Sequence, residues 1–468
     1  MRRNSMIKNE SSGIDVGAQV PGFSDNSLNK DRIKTTRDLE TALYDDAGTE
    51  GWKEIRPVTA GMFARAAYPT DKIYYMTYRF DLKECIDASA LKQAWEKTIK
   101  VYPYVTYATV VRRNMLVFTE DPLPFVFGET GEVIEPSTPE ANFHTVTICY
   151  LDNIVRIYVD HVPYDGTGFM HVLETFFYHY YSITDEREYP VPEGVHTEAE
   201  GAVPGQDTDA YLELPPMDPT ELMTTFREIQ VFETPESPRD CLFVPEADCR
   251  EFCISIPSAG FMDYSKSVKG SPMSVLYVCF AKALQRIHPE NKAPFSFMVP
   301  VSIRKVMGNT DSLLHQVVHF NYSFNVLELS EKTDEELNTE FRAALSDYSR
   351  EKNIKKAAGV YRSICEGNTK AYIDGTLNKI IMDQRKNPKV GAGVSYLGTM
   401  RTGDYGSRIR MTAFHTMPDR GITLQVTEVG GYFYIDWYQG FHSEDYVLAM
   451  RDILAEKGIC GIKVEGAE

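Results

Sequence analysis

The sequence predicts an α/β protein built of two similar halves, on three observations. Its 468 residues exceed what one hydrophobic core normally organises, so two domains of about 200 residues are expected. Both halves mix short apolar, strand-like runs with segments whose apolar residues recur at helical spacing. Between them, residues 184–248 are rich in Pro, Glu and Asp with few long apolar runs, a composition suited to an exposed connection. The expected organisation is a polar, mobile leader over 1–50, an N-terminal half over 51–183, the connection over 184–248 and a C-terminal half over 249–468.

Taken in order, the first half opens with a strand over 72–82 (KIYYMTYRFDL). A helix over 88–101 follows, with Leu91, Ala94, Trp95, Thr98, Ile99 and Tyr102 on one face. Strands are expected over 104–112, 115–119, 143–151 and 153–160, the last a mostly buried NIVRIYV run. A helix beginning near Thr167 carries Phe169, Met170, Leu173, Phe176, Phe177 and Tyr180 at helical spacing. The connection is too long for a plain loop, so 219–228 is expected to be helical.

The second half starts with a strand over 251–256 and a helix over 272–287, capped by Ser271 with Pro272 at its first position. Strands over 295–303 and 317–327 precede helices over 334–350, 354–365 and 370–383. Strands return over 393–396, 408–415, 423–428 and 432–438. A last helix over 443–457 has Ser443 as its cap, with Glu444 and Asp445 in its electropositive first turn.

Charge narrows the function. With 49 Lys and Arg against 67 Asp and Glu, the net charge is −18, which argues against nucleic acid and anionic membranes as partners. No apolar run approaches the ~20 residues needed to span a bilayer, and MRRNSMIKNE has arginines without the apolar core of a secretory signal. The eight cysteines are scattered, and the closest pair, Cys249 and Cys253, lacks a matching second pair, so no metal is expected from them. A cytoplasmic protein with reduced thiols is the expectation.

The informative stretch is DHVPYDG at 160–166, an HxxxDG pattern where a strand gives way to a helix. An imidazole held there can take a proton from a hydroxyl or amine as that group attacks a carbonyl. The aspartate can pair with a buried arginine and lock the turn, and the glycine permits close backbone approach. The letters alone fit equally a core histidine beside an ordinary Asp-Gly turn. GVSYLG at 393–398 is not a nucleophile elbow, because Leu397 stands where G-x-S-x-G needs glycine. His171 and His179 read as packing or surface residues, His315 and His319 lack the Glu of an HExxH metal site, and His415 and His442 read as strand-end and loop residues.

Four further segments, in order with HVPYDGTGF, resemble the chloramphenicol-acetyltransferase-like superfamily, closest to bacterial alcohol-acetyltransferase-like and condensation-domain-like members. They are LKQAWEKTIKVYPYV at 91–105, PVSIRKVMG at 300–308, VSYLG at 394–398 and WYQG at 437–440. The resemblance covers about residue 52 to the C-terminus. It implies two α/β halves forming a V, with a channel in which an acyl thioester and an acceptor meet from opposite faces. It implies that His161 is the general base, that Asp165, beside Gly166, pairs structurally with Arg304, and that Ser395 and Tyr438 are candidates for the oxyanion or channel wall. No cofactor is implied as bound; acyl-CoA or an acyl-carrier thioester is the co-substrate, with a small-molecule acceptor and, in one version, a carrier protein as partner. For coenzyme A, Lys266/Lys269, Arg304/Lys305 and Lys355/Lys356 are the available basic pairs.

The chain departs from the pattern in three places. Asp160 stands where condensation domains usually carry a second histidine, and a carboxylate there is expected to raise the pKa of His161. Tyr396 and Gln439 replace two asparagines and are expected to reshape the channel. The plant-type DFGWG signature is absent. An acyltransferase is the leading reading, beside a free-standing condensation domain using carrier-bound thioesters and a catalytically silent binding module of the same fold.

Overall fold

Two-residue alternation along the strands and helical periodicity in the longer segments give two sheets, each with an apolar face covered by helices. The computed structural model describes residues 52–57, 74–112, 115–217, 232–233, 249–373, 389–390, 392–416 and 421–466. The first lobe contains β1 (Glu54–Pro57), β2 (Tyr75–Leu82), α1 (Ala88–Val101), β3 (Ala108–Arg112), β4 (Met115–Thr119), β5 (Phe127–Glu129), β6 (Val146–Leu151), β7 (Ile154–Asp160) and α2 (Gly166–Thr184). Then follow β8 (Phe232–Glu233), β9 (Arg250–Pro257), α3 (Ser258–Ser267), α4 (Pro272–Ile287), β10 (Phe295–Ser302), α5 (Arg304–Met307) and β11 (Val317–Phe324). The chain continues through α6 (Val326–Glu331), α7 (Asp334–Tyr348), α8 (Glu351–Ile373), β12 (Lys389–Val390), β13 (Ala392–Thr399) and β14 (Ile409–Thr416). It ends with β15 (Ile422–Val429), β16 (Tyr432–Gln439), α9 (Asp445–Glu456) and β17 (Lys463–Gly466).

The first sheet runs β14-β2-β7-β6-β5 and the second β11-β10-β13-β15-β16-β9-β17, with a small β1-β4-β3 sheet and a β12-β8 pair beside them. β14 lies late in the chain yet pairs antiparallel with β2, Phe414 opposite Tyr78 and His415 opposite Thr77. This crossing strand stitches the lobes together. Met76, Tyr78, Phe80 and Leu82 of β2 enter the first core with Leu91 and Trp95 of α1 and Phe169 and Phe176 of α2. By strand alternation Thr77, Arg79 and Asp81 turn to the opposite face, toward the second lobe. The second core gathers Ile254 and Ile256 of β9, Leu424 and Val426 of β15 and Ile435 and Trp437 of β16 under α4.

Local signals set the helix ends. Asp87 caps α1 by accepting the N–H groups of Ser89 and Ala90, and Ser271 forms a capping box with Ser274 at α4. Thr333 does the same with Glu336 at α7.

Several boundaries differ from the sequence expectation for identifiable reasons. Pro103 starts a 3-10 turn, Pro103–Thr106, so β3 begins only at Ala108. Asn142 and Phe143 adopt left-handed backbone, φ 51° and 65°, and delay β6 to Val146. Asn325 ends β11 by capping α6. One continuous helix, α8, covers what reads as two helices; its expected continuation past 373 and the expected helix at 219–228 lie outside the described residues. The last helix starts at Asp445, with Ser443 Oγ accepting the Asp445 N–H at 3.3 Å. β1, β5, β8, α3, α5, α6, β12 and β17 have no counterpart in the sequence expectation.

The connection is also less exposed than its composition suggests. Its described part docks Ala210, Tyr211 and Leu214 against Ile354, Ala358 and Tyr361 of α8, and Tyr211 Oη donates to the Val317 carbonyl at 2.7 Å. Among the described residues, no helix is long and apolar enough to cross a membrane.

Candidate active site

β7 delivers His161 at its end, where the His161 N–H still donates to the Tyr74 carbonyl beside β2 at 2.8 Å. The chain then turns, and Nδ1 of His161 lies 2.7 Å from the Tyr164 carbonyl oxygen. A carbonyl can only accept, so Nδ1 carries the proton and Nε2 keeps the lone pair. The tautomer of the imidazole is thereby set by the backbone of its own turn. The ring is half-buried, packed at 4.9 Å from the Tyr74 ring and 5.5 Å from that of His315.

Burial lowers the His161 pKa below its ordinary value, against smaller upward pulls from the Tyr164 hydrogen bond, Asp165 and Asp160. Asp160 pulls the value up as expected, but burial outweighs it. The Asp160 carboxylate is spent elsewhere, accepting from Ser137 Oγ at 2.7 Å, Val162 N at 2.9 Å and Thr109 Oγ1 at 3.4 Å.

Asp165 does not orient the histidine by a direct bond; it caps α2 through Gly168 N at 2.8 Å and faces Arg304. Nη1 and Nη2 of Arg304 each reach one carboxylate oxygen at 2.9 Å, the two-pronged geometry that suits guanidinium and carboxylate. Gln316 N adds a third contact at 2.7 Å. Arg304 also donates to the carbonyls of Ser312 at 2.9 Å and Leu314 at 2.6 Å. Burial pushes the Asp165 carboxyl up, but Arg304, His315 and the Gln316 N–H together outweigh it and hold it below the usual range.

The turn is further clamped to the second lobe through backbone. Tyr164 bridges Leu314, and His315 N donates to the Pro163 carbonyl at 2.8 Å. The 312–316 segment is itself braced by the connection, through Leu313 N to the Gln206 carbonyl at 2.7 Å. A Cβ on Gly166 would meet Leu397 Cδ2 of β13 at 2.6 Å, so the turn and that strand are in close approach.

The structure thus brings His161, Asp165, Gly166 and Arg304 into one constellation. Ser395 shares the β13 face with Leu397, which packs against the first core, whereas Val394 and Tyr396 point into the second. Tyr438 is placed differently: its ring stacks on His415, with centroids 4.9 Å apart and planes 15° apart. Tyr396 packs beside Phe433, and Gln439 is buried, bonded to Trp437 Nε1 and the carbonyls of Phe441 and Ser443. Of the basic pairs, Arg304 is consumed by Asp165, Lys269 pairs with Glu335 and Lys355 with Glu351.

Several contributors escaped sequence reasoning. Gly168 is one: a Cβ there would lie 2.4 Å from the Leu313 carbonyl oxygen and 2.5 Å from Arg304 Nη2. The second glycine in DGTGF is its only sequence signal. His315 and His319 lie on the second-lobe side of His161, and burial lowers their pKa values to about 3 and about 4, so both are neutral rings at physiological pH. His319 Nδ1 pairs with Tyr361 Oη at 2.8 Å. A second interlobe clamp joins Glu174 of α2 to Arg401 after β13, through Arg401 N at 2.7 Å and Nε at 2.9 Å, with His171 Nδ1 accepting from Nη2 at 2.6 Å.

No protein-family model matches this chain, and no curated protein does. Solved structures do. Polyketide synthase associated protein 5 from Mycobacterium tuberculosis is 12% identical with a TM-score of 0.58, covering 86% of this chain and 98% of its own. F. sporotrichioides TRI101 complexed with coenzyme A and T-2 is 10% identical with a TM-score of 0.55, over 88% and 99%. The first condensation domain of the calcium-dependent antibiotic synthetase, in complex with a substrate analogue, is 11% identical with a TM-score of 0.52, over 86% and 96%. At such identities the likeness is one of fold: the chain has the two-lobed α/β fold that these proteins share.

Proposed function

We propose that this two-lobed fold carries an acyltransferase in which His161 is the general base. The observation that carries the reading is the Nδ1 contact to the Tyr164 carbonyl, which leaves Nε2 as the basic nitrogen of a ring kept neutral by burial. An acceptor hydroxyl or amine gives its proton to Nε2 as its oxygen or nitrogen bonds to the carbonyl carbon of an acyl thioester. The carbon–sulfur bond then breaks, and the departing thiolate takes the proton from the imidazolium. The products are an ester or amide and a free thiol, with the base regenerated.

Asp165 and Arg304 act in this scheme as positioning residues, because both side chains are fully engaged with one another and with backbone. Ser395 is the better oxyanion candidate, since it shares a strand face with Leu397, which touches the turn at Gly166. Donor and acceptor meet in a channel between the lobes, entered from opposite sides, which brings two substrates to one base without a covalent enzyme intermediate. Acyl-CoA is the proposed donor, supported by the TRI101 complex with coenzyme A.

Thiol release from a panel of acyl-CoAs, with and without alcohol and amine acceptors, tests the reading. Acceptor-dependent release that disappears in His161→Ala supports it. Release from no acyl-CoA, with turnover only of carrier-bound thioesters, replaces the donor; no turnover of either leaves a binding module.

A further inference from the structure

Three strands bring together a second set of side chains that the acyl-transfer scheme does not use. Glu251 of β9, His415 of β14 and Asp436 of β16 each offer a ligand atom within 4.8 Å of the others. His415 Nδ1 stands 3.1 Å from Asp436 Oδ2 and 3.6 Å from Glu251 Oε1. Donors held about 2.0–2.1 Å from a tetrahedral dication lie roughly 3.4 Å apart, and the two separations bracket that value.

The placement is built by the ladders. Tyr438 is opposite Glu251 and Asp436 opposite Cys253, so both carboxylates lie on one face of the second sheet. His415 reaches that face from the first sheet, where it sits opposite Thr77. The Tyr438 ring stacked on His415 holds the imidazole plane.

An independent observation points to a missing partner. Asp436 is 1% exposed, yet its Oδ1 has no hydrogen-bond partner among the described residues. A hydrogen bond between His415 and Asp436 would account for Oδ2 and leave Oδ1 stranded, with a second carboxylate alongside. The nearby cations are engaged elsewhere: Arg79 holds Asp81 at 2.8 Å, and Arg410 holds Asp81 at 2.6 Å and Glu465 at 3.1 Å.

We propose that Glu251, His415 and Asp436 form a binding site for a first-row divalent cation, zinc by its fit to one imidazole and two carboxylates, which ties the crossing strand β14 to the second sheet. Three protein ligands leave a fourth position for water. Access is open from the Glu251 and His415 side, whose side chains are 19% and 17% exposed. The site stands or falls separately from the acyltransferase reading, since none of its ligands belongs to the His161 constellation.

The test uses the full chain, freed of metal by a chelator and titrated with zinc sulfate in a calorimeter, with thermal melting in parallel. One equivalent should bind with micromolar or tighter affinity, and Tm should rise with free zinc. His415→Gln and Glu251→Gln should each lose more than the roughly 10- to 100-fold typical of an outer-shell partner. Circular dichroism establishes that each variant is folded. Asp436→Asn is the third variant, and the part-exposed Glu251→Gln keeps the test decisive if burial makes Asp436→Asn unstable. A wild-type chain that binds no zinc, or folded His415→Gln and Glu251→Gln proteins that bind it unchanged, overturns the site. Magnesium binding as tightly as zinc overturns the choice of ion.

Discussion

Replacing Arg304 with methionine removes the charge that balances Asp165 while keeping much of the side chain's bulk. Asp165 is 2% exposed and Arg304 3%, so water hydrates neither. In the variant the carboxylate loses both 2.9 Å guanidinium contacts and keeps only the N–H groups of Gln316 and Gly168. Stranding one member of a buried pair costs about 3–5 kcal/mol. At roughly 2.1 cal/mol/K per residue, a 468-residue chain unfolds with an entropy of about 1 kcal/mol/K, so Tm should fall by about 3–5 °C at pH 7.

The sign with pH is fixed as well. The Asp165 carboxyl sits below its ordinary value in the fold, because Arg304, His315 and the Gln316 N–H together outweigh the upward push of burial. Its stabilisation is therefore complete above the ordinary carboxylate range near 4 and disappears as pH falls through the folded value. The deficit of Arg304→Met should shrink on acidification, first as the stranded carboxyl, pushed up by burial, takes up a proton above the ordinary value near 4, and then as the wild-type pair is lost below it. Thermal melts of Arg304→Met, Asp165→Leu and the double variant complete the cycle. The double variant should be less destabilised than the sum of the singles by at least about 2 kcal/mol. Additive losses, or an Arg304→Met protein melting with the wild type, would refute a buried, mutually dependent pair.

Other outcomes follow from the same geometry. His161→Ala should lose roughly 10²–10⁴-fold in turnover with little change in Tm, measured by thiol release and calorimetry. Because burial lowers the His161 pKa, the acid limb of kcat/KM should have its midpoint below the ordinary histidine value of about 6.5, and a midpoint above it would contradict the buried, neutral base. Gly168→Ala should destabilise by about 1–3 kcal/mol, since the new Cβ meets the Leu313 carbonyl at 2.4 Å, a backbone atom that cannot swing aside. Wild-type stability in that variant would show that the contact relaxes freely.

The elements most legible in the sequence are those whose pattern is local. α1 has an Asp cap and an apolar stripe, and its ends at Ala88 and Val101 are where the stripe begins and stops. The turn at 160–166 is legible because a β run meets a helical run there. What local pattern cannot supply is partnership. Arg304 lies 139 positions from Asp165, and only the family resemblance joins them. Strand alternation in β14 tells which residues face a core, not that the strand leaves its own half to pair with β2. The composition of the connection likewise hides Tyr211, whose burial depends on a helix far along the chain. The upward pull of Asp160 on His161 was legible from adjacency, whereas the burial that outweighs it depends on how the ring packs in the fold, which no local pattern shows.

Direct transfer assisted by His161 is tested most closely by following product and protein together. The wild-type chain is incubated with one accepted acyl-CoA and its acceptor, and both small molecules and intact protein are read by mass spectrometry. Direct transfer predicts acylated acceptor and free coenzyme A in equal amounts, an unmodified protein mass throughout, and loss of both products in His161→Ala. A kinetically competent acyl-protein adduct, or undiminished product from folded His161→Ala, would contradict it.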